Sequence, residues 1–120
     1  MHESPSSQQL LSAVITFLTD VATPQLSGHA AFHARVSANG LALVARETAL
    51  RDSSDARALE LYSALLGQEH VDLKSAQAAL CGAIRAGDID VDTPNLLASL
   101  REVATAQLAI DQPNYSGLKI

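Results

Sequence analysis

Polar side chains interrupt the apolar face of a predicted helix over residues 32–47. At about 100° per residue, Asn39 falls on that face, Arg35 and Arg46 lie to one side of it, and Glu47 lies to the other. A buried polar group without a partner is costly, so these side chains need partners. They either join an internal polar network or line a pocket for an anionic ligand, because guanidinium and amide groups bind carboxylate and phosphate.

The last predicted helix carries polar residues that fit the network interpretation. Gln107 and Asp111 fall on its apolar face, beside Val103 and Ala104. Packing of the two helices would pair Arg46 or Arg35 with Asp111 and bring Asn39 to Gln107 or a backbone carbonyl. Such a pair fixes helix register more than it adds stability, because desolvation offsets much of the Coulomb gain. The network interpretation is favoured over the pocket.

Three other groups resemble reactive or metal sites but lack essential parts. His29 and His33 have the i,i+4 spacing of metalloprotease ligands, yet the intervening glutamate base and a third ligand are missing. Alternating aspartates at 88, 90 and 92 lack the glycine and glutamate of a calcium loop. Cys81 lies in mid-helix, where a small buried apolar side chain is expected. We expect no catalytic, cofactor or metal site.

Start and stop signals predict an all-α fold, a compact bundle of about five helices. The first helix begins at Ser6, with Gln9 completing a capping box, and ends at Thr23-Pro24. The others run from Ser27 or Gly28 to about Leu50, from Ser53 or Ser54 to Gly67, from Asp72 to Gly87, and from Thr93-Pro94 to about Ile110. Residues 1–120 are predicted to form one domain, with disordered or extended ends near 1–6 and 114–120. Gly40 and Gly82, inside helices, are expected either to permit close helix approach or to leave room for a ligand.

Composition limits the function class. The 120 residues are 48% hydrophobic but only 3% aromatic, which favours closely packed Ala/Leu-rich helices. A net charge of -5 argues against nucleic acid and anionic membranes as partners. One cysteine fits a reducing compartment, and we find neither a signal peptide nor a membrane span. The sequence therefore predicts a cytoplasmic protein.

Four stretches of the chain together resemble a bacterial family of domains of unknown function. They are residues 31–39, 44–47, 80–87 and 107–116, and the resemblance extends from about Gln8 to Tyr115. It implies a small all-helical protein encoded near, or fused to, aminoglycoside-kinase-like phosphotransferases and acyl-CoA dehydrogenase-like proteins. It supplies no catalytic residue. The matching motif positions are His33, Arg35, Asn39, Arg46, Glu47, Asp111, Pro113 and Tyr115.

Two hypotheses follow from these observations. The leading one is a non-enzymatic accessory or interaction module that binds a partner enzyme and self-associates. The alternative is a binder of a small anionic metabolite through Arg35, Asn39 and Arg46, with His33 as a further contact. A hydrolase or transferase using His33 and Glu47 is disfavoured, because fourteen helical residues separate them by about 21 Å.

Overall fold

The computed structural model describes residues 4–119, with side chains described to residue 118. Predictions that concern residues 1–3 and 120 lie outside this range. Within it every regular element is helical, which confirms the all-α prediction. The α-helices are α1 (Ser7–Thr16), α2 (Gly28–Leu66), α3 (Leu73–Ala86) and α4 (Leu96–Asp111). Shorter helical segments are a π-helix, Phe17–Ala22, and two 3₁₀ helices, Thr23–Gln25 and Ser116–Lys119.

The predicted number of five helices is wrong, because α2 is continuous where a break was expected. The polar stretch 51–55 contains neither Gly nor Pro, so no residue in it breaks the backbone pattern. Arg51 and Asp55 lie four residues apart and form an ion pair of 3.5 Å between Nη1 and Oδ1. This spacing supports a helix instead of ending it. The described chain thus has four α-helices, one of them 39 residues long.

The N-terminal end of α1 is capped as predicted. The Ser6 hydroxyl accepts from the Gln9 amide at 3.1 Å, and Oε1 of Gln9 accepts from the Ser6 amide at 2.7 Å. Toward Pro24 the helix widens into the π segment. Pro24 lacks an N–H, and in a regular α-helix its ring would clash with the carbonyl four residues before it. A wider turn relieves that clash, and Thr23 then hydrogen-bonds to the Leu18 carbonyl through both its amide and its hydroxyl.

The ends of α2, α3 and α4 follow the sequence signals with one exception. Gly67 and Gly87 adopt positive φ at the ends of α2 and α3, as predicted for glycine after a helix. Asp72 caps α3 by accepting from the Ser75 amide at 2.7 Å. The predicted cap at Thr93 is wrong. The Thr93 hydroxyl instead accepts from the Asp90 amide at 2.9 Å, and α4 begins after a left-handed Asn95.

The chain divides into two compact units, residues 1–50 and 51–120. The N-terminal unit contains α1, the π segment and the first part of α2. Gln8 of α1 donates to the Ala45 carbonyl of α2 at 3.1 Å. Buried side chains in this unit are small, namely those of Ala31, Ala34 and Ala38, and α1 has no buried residue. Among the described residues of this unit, therefore, no large apolar side chain is buried, in contrast to an ordinary hydrophobic core.

The C-terminal unit has a conventional apolar core. Tyr62 of α2, Leu80 of α3 and Leu96 of α4 are buried in one cluster, which also contains Ala58, Ala76 and Ile89. Leu59, Leu65 and Leu66 of α2 and Leu73 of α3 pack against this cluster, whereas Ile84 of α3 is exposed. The prediction that the two units form a single domain stays a prediction.

Three sequence expectations about glycines, the tail and membranes have different outcomes. A Cβ added to Gly40 or Gly82 meets no atom within 4 Å, so neither glycine is required for close approach within the described chain. Ser116–Lys119 is helical instead of extended. None of the described helices combines the length and apolar character of a membrane span.

Candidate functional site

A small polar groove in the N-terminal unit contains two of the predicted site residues. Arg35 and Asn39, one turn apart on α2, line it together with Thr19, Thr23 and Ala38. Its volume is about 270 Å³. The groove exists because Thr19 of the π segment and Thr23 of the following 3₁₀ helix lie beside the first part of α2. The structure therefore places Arg35 and Asn39 in one groove, and their role as a ligand site stays a prediction.

The polar groove has the chemistry of an anion site open to solvent. The Arg35 guanidinium offers a planar set of donors, and the Asn39 amide offers two more. The Thr23 hydroxyl donates to the Leu18 carbonyl at 2.6 Å, which leaves its oxygen lone pairs, not its proton, toward other partners. Ala38 is buried, while Arg35 and Asn39 are exposed. Such a site binds weakly, because water competes for each exposed donor.

Other predicted site residues on α2 lie outside the polar groove. Arg46 and Glu47 are half-buried farther along α2, and His33 is exposed. The rings of His29 and His33 stack with centroids 6.4 Å apart, and Phe32 meets His33 edge-on at 5.5 Å. Among the residues that the structure describes, no group of three or more His, Cys, Asp or Glu is placed to hold a metal ion.

Gln107 and Asp111 form a polar network with Arg51, a residue that the sequence signals assign to the break between two helices. Arg51 donates to Oε1 of Gln107 at 2.7 Å, and Nε2 of Gln107 donates to Asp111 at 2.6 Å. Because α2 is continuous through Arg51, this side chain reaches the face of α4. The predicted pairs of Asp111 with Arg46 or Arg35 stay predictions.

A second arginine of α2 binds α4 through a carboxylate. Arg57 donates to both oxygens of Glu102, at 2.6 and 3.2 Å, and also to Glu60 at 3.1 Å. Hydrogen bonding to Arg57 holds the pKa of Glu102 below its ordinary value, and the same bond raises the pKa of Arg57. Both side chains are exposed, so solvent screens the pair.

Cys81 is exposed, and the prediction of a buried thiol is wrong. Leu80 is the buried residue of that turn, and the next residue lies about 100° around the helix. Tyr62 is buried nearby, and its pKa is raised, first by desolvation and second by the charge of Cys81.

Tyr115 and the linker aspartates have local structural contacts. Tyr115 is exposed, and its ring occupies the space beside Gly117, where an added Cβ would come within 2.5 Å of the ring. Asp90 accepts from the Asp92 amide at 2.9 Å, so its carboxylate shapes the turn before α4.

Sequence reasoning missed two exposed apolar surfaces of the N-terminal unit. The α1 stripe consists of Leu10, Val14, Phe17 and Val21, each 44–55% exposed. The α2 seam consists of Phe32, Val36, Asn39, Leu43, Arg46 and Leu50, and its four apolar members are 38–53% exposed. Both sets alternate steps of four and three residues, the spacing of a surface that packs against another helix. The sequence shows this spacing, but it does not show that the apolar side chains remain exposed.

Comparison with known families adds one assignment. A family model described as Domain of unknown function (DUF6285) matches residues 24–115, more than half of the chain. The chain belongs to this family. The DUF6285 match includes all of α2, α3 and α4, and it begins after α1. The predicted resemblance is confirmed at this level. No curated protein and no solved structure matches the chain.

Proposed function

We propose that this DUF6285 protein is a non-enzymatic accessory module that binds a partner enzyme through the α1 stripe. The observation that carries the proposal is the unusual state of α1. Leu10 and Val14 of α1 and Phe17 and Val21 of the adjoining π segment follow one line, they remain about half exposed, and no residue of either segment is buried. Exposed apolar surface arranged in this way is typical of protein-protein contact sites.

The energetic size of the α1 stripe fits a modest protein contact. Complete burial of a Val, Leu or Phe side chain contributes about 1.5–3 kcal/mol. Because each of the four is already about half covered, a partner would gain roughly 1 kcal/mol from each. Phe17 is the strongest candidate for the central contact, since aromatic side chains dominate interface energetics.

The class of partner is inferred from the enzymes near which members of the resembled family are expected to be encoded, or to which they are expected to be fused. We propose an aminoglycoside-kinase-like phosphotransferase or an acyl-CoA dehydrogenase-like enzyme as the partner. Co-expression of the protein with each enzyme from the same host, followed by affinity purification and titration calorimetry, tests this. We expect binding to one of them, and loss of at least tenfold in affinity for Phe17→Ser.

Leu97→Ser is the matched control, because Leu97 is an apolar residue of α4 with 60% exposure outside the α1 stripe. It should bind like the unmodified protein. The proposal is overturned if neither enzyme binds, or if the two variants bind equally well.

A second candidate function rests on the polar groove. The presence of Arg35 and Asn39 in one depression favours a small anionic metabolite as ligand, because both side chains carry N–H donors. Calorimetric titration with inorganic phosphate and with coenzyme A tests it. Arg35→Ala should abolish binding, whereas Arg101→Ala on α4 should not. Equal heats for both variants would reject the groove as an anion site.

A further inference from the structure

We propose that the α2 seam binds a second copy of this chain, with the two α2 helices antiparallel around a twofold axis near Leu41. This surface is different from the α1 stripe, so a homodimer and a partner enzyme can be bound independently. The proposal depends on the spacing of the seam, on the charges within and beside it, and on Gly40.

The α2 seam has the pattern of a helix that packs along one partner helix. Steps of four and three residues from Phe32 to Leu50 keep its members on one line. On a helical wheel this line lies well away from Ala31, Ala34 and Ala38, the buried residues of the same segment. At 1.5 Å per residue the seam is about 27 Å long. Within the described chain its apolar members remain 38–53% exposed.

The charges of the seam favour an antiparallel over a parallel pair. In a parallel, in-register pair each core residue meets its own copy, so two Arg46 guanidinium groups would share one layer. Like charges in close contact destabilise a pair of helices. In the antiparallel register, residues whose numbers add to 82 face each other. Arg46 then meets Val36 of the other copy, and the two Arg46 residues are about 15 Å apart along the axis, beyond the Debye length of about 8 Å.

In this register apolar side chains meet at both ends of the seam, whereas Asn39 and Arg46 each meet an apolar side chain of the other copy. Phe32 faces Leu50 of the other copy, and Asn39 faces Leu43. His33 and Glu47 each follow a seam residue by one position, so they lie on the same flank of the antiparallel pair. His33 is therefore near Glu47 of the other copy, about 3 Å apart along the axis, and the twofold axis repeats this contact. A histidine can donate to a carboxylate, which has room for more than one donor, so Glu47 can keep its contact within its own chain. Asn39 near the axis is the kind of polar core residue that specifies register.

Gly40 provides an independent observation. Glycine inside a helix costs about 1 kcal/mol relative to alanine, and nothing in the described chain lies within 4 Å of an added Cβ there. In the antiparallel register Gly40 lies beside the seam, on the same flank as Gly40 of the other copy and about 3 Å from it along the axis. The absence of two side chains at this point lets the two backbones approach closely. A second copy thus gives this glycine a structural reason that the single chain lacks.

Sedimentation velocity of the full chain tests the oligomeric state. Concentrations from about 10 µM to about 1 mM cover association free energies of roughly 7 to 4 kcal/mol. We expect a monomer–dimer equilibrium that Leu43→Asp weakens at least tenfold. Val44→Asp is the matched control, because Val44 is adjacent and 48% exposed but lies off the seam. Far-UV circular dichroism verifies folding, and Val36→Ser replaces Leu43→Asp if that variant does not fold.

A wild-type protein that stays monomeric throughout, or equal weakening by the two aspartate variants, overturns the proposal. Loss of the dimer in Phe17→Ser but not in Leu43→Asp also overturns it, and would transfer self-association to the α1 stripe. Loss of enzyme binding in Phe17→Ser with an intact dimer contradicts neither proposal. The two proposals therefore fail separately.

Cysteine cross-linking tests the orientation, in a Cys81→Ser background because Cys81 is exposed. Phe32→Cys and Leu50→Cys proteins are oxidised separately and as a mixture. The antiparallel register predicts covalent dimers only in the mixture, since a disulfide requires Cα atoms within about 7 Å. Covalent dimers in the separate samples would indicate a parallel pair and overturn the proposed register.

Discussion

Arginines in the C-terminal unit connect α2 to α4 through two different kinds of partner. Arg51 donates to a neutral amide, which passes the contact to Asp111, whereas Arg57 binds the Glu102 carboxylate with two hydrogen bonds. The Arg51–Gln107 bond is partly buried, whereas the Arg57–Glu102 pair is exposed. The Arg57–Glu102 pair orients the two helices more than it stabilises the unit, because exposed pairs contribute little net free energy.

The Arg57–Glu102 pair predicts a pH-dependent effect of one substitution. The pKa of Glu102 is lowered in the folded protein, so its contribution is present above the ordinary glutamate pKa, about 4.3. That contribution is lost as the pH falls through the lowered pKa. Glu102→Gln should therefore reduce stability at pH 7 and match the unmodified protein at the acid limit. Urea unfolding across this pH range measures it.

Glu60→Gln is the control for this experiment, because Glu60 contacts the same arginine with only one hydrogen bond and a more exposed side chain. It should have the smaller effect at neutral pH. A Glu102→Gln deficit that persists unchanged at the acid limit would show that charge is not its cause.

The sequence predicted which face of a helix some polar residues occupy, but it did not predict which residues they contact. The placement of Gln107 and Asp111 on the apolar face of α4 followed from helical periodicity, but the arginine that binds Gln107 did not. The polar stretch 51–55 predicts a break between helices, which places Arg51 outside any helix face. The exposure of Cys81 was also missed, because a shift of one residue changes the face of a helix and the wheel cannot fix packing direction.

At the scale of elements, α2 is the feature that the sequence signals described least well. Gly and Pro punctuate the other helix ends, and these ends were predicted within a few residues. The polar residues 51–55, which include neither Gly nor Pro, wrongly predicted the end of a helix. Ser and Asp compete with helix formation only weakly when i,i+4 partners such as Arg51 and Asp55 are present.

Continuity of α2 makes a proline at residue 52 strongly destabilising. A mid-helix proline removes a hydrogen bond and clashes with the preceding turn, at a cost of about 3 kcal/mol or more. Asp52→Pro should therefore lower the free energy of unfolding by about that amount. Asp52→Ala, at the same exposed position, should be neutral or slightly stabilising. Tolerance of the proline would mean that the chain ends a helix here, as the sequence signals had suggested.

At the scale of the whole molecule, the two units differ in how they hold together. The C-terminal unit buries Tyr62, Leu80 and Leu96 in a shared cluster, whereas the buried side chains of the N-terminal unit are alanines. Hydrophobic burial is the main source of stability. The N-terminal unit is therefore the part that gains most from a bound second copy or partner.

This difference predicts that heat stability depends on protein concentration. A dimer that forms only from folded chains is stabilised by mass action. We expect the thermal midpoint to rise by about 2–4 °C for each tenfold increase in concentration, as estimated for a domain of this size. Leu43→Asp should show no such rise. A wild-type midpoint independent of concentration would contradict dimerisation through the α2 seam.

The positions of the two tyrosines have a consequence for how unfolding is observed. The chain has no tryptophan, and Tyr62 and Tyr115 both lie in residues 51–120. Tyrosine fluorescence therefore reports on the C-terminal unit and not on the first fifty residues, whereas far-ultraviolet ellipticity reports on all helices. If the two signals change together on heating, the units melt in one cooperative step. If ellipticity falls first, the N-terminal helices melt before an emitting residue senses any change.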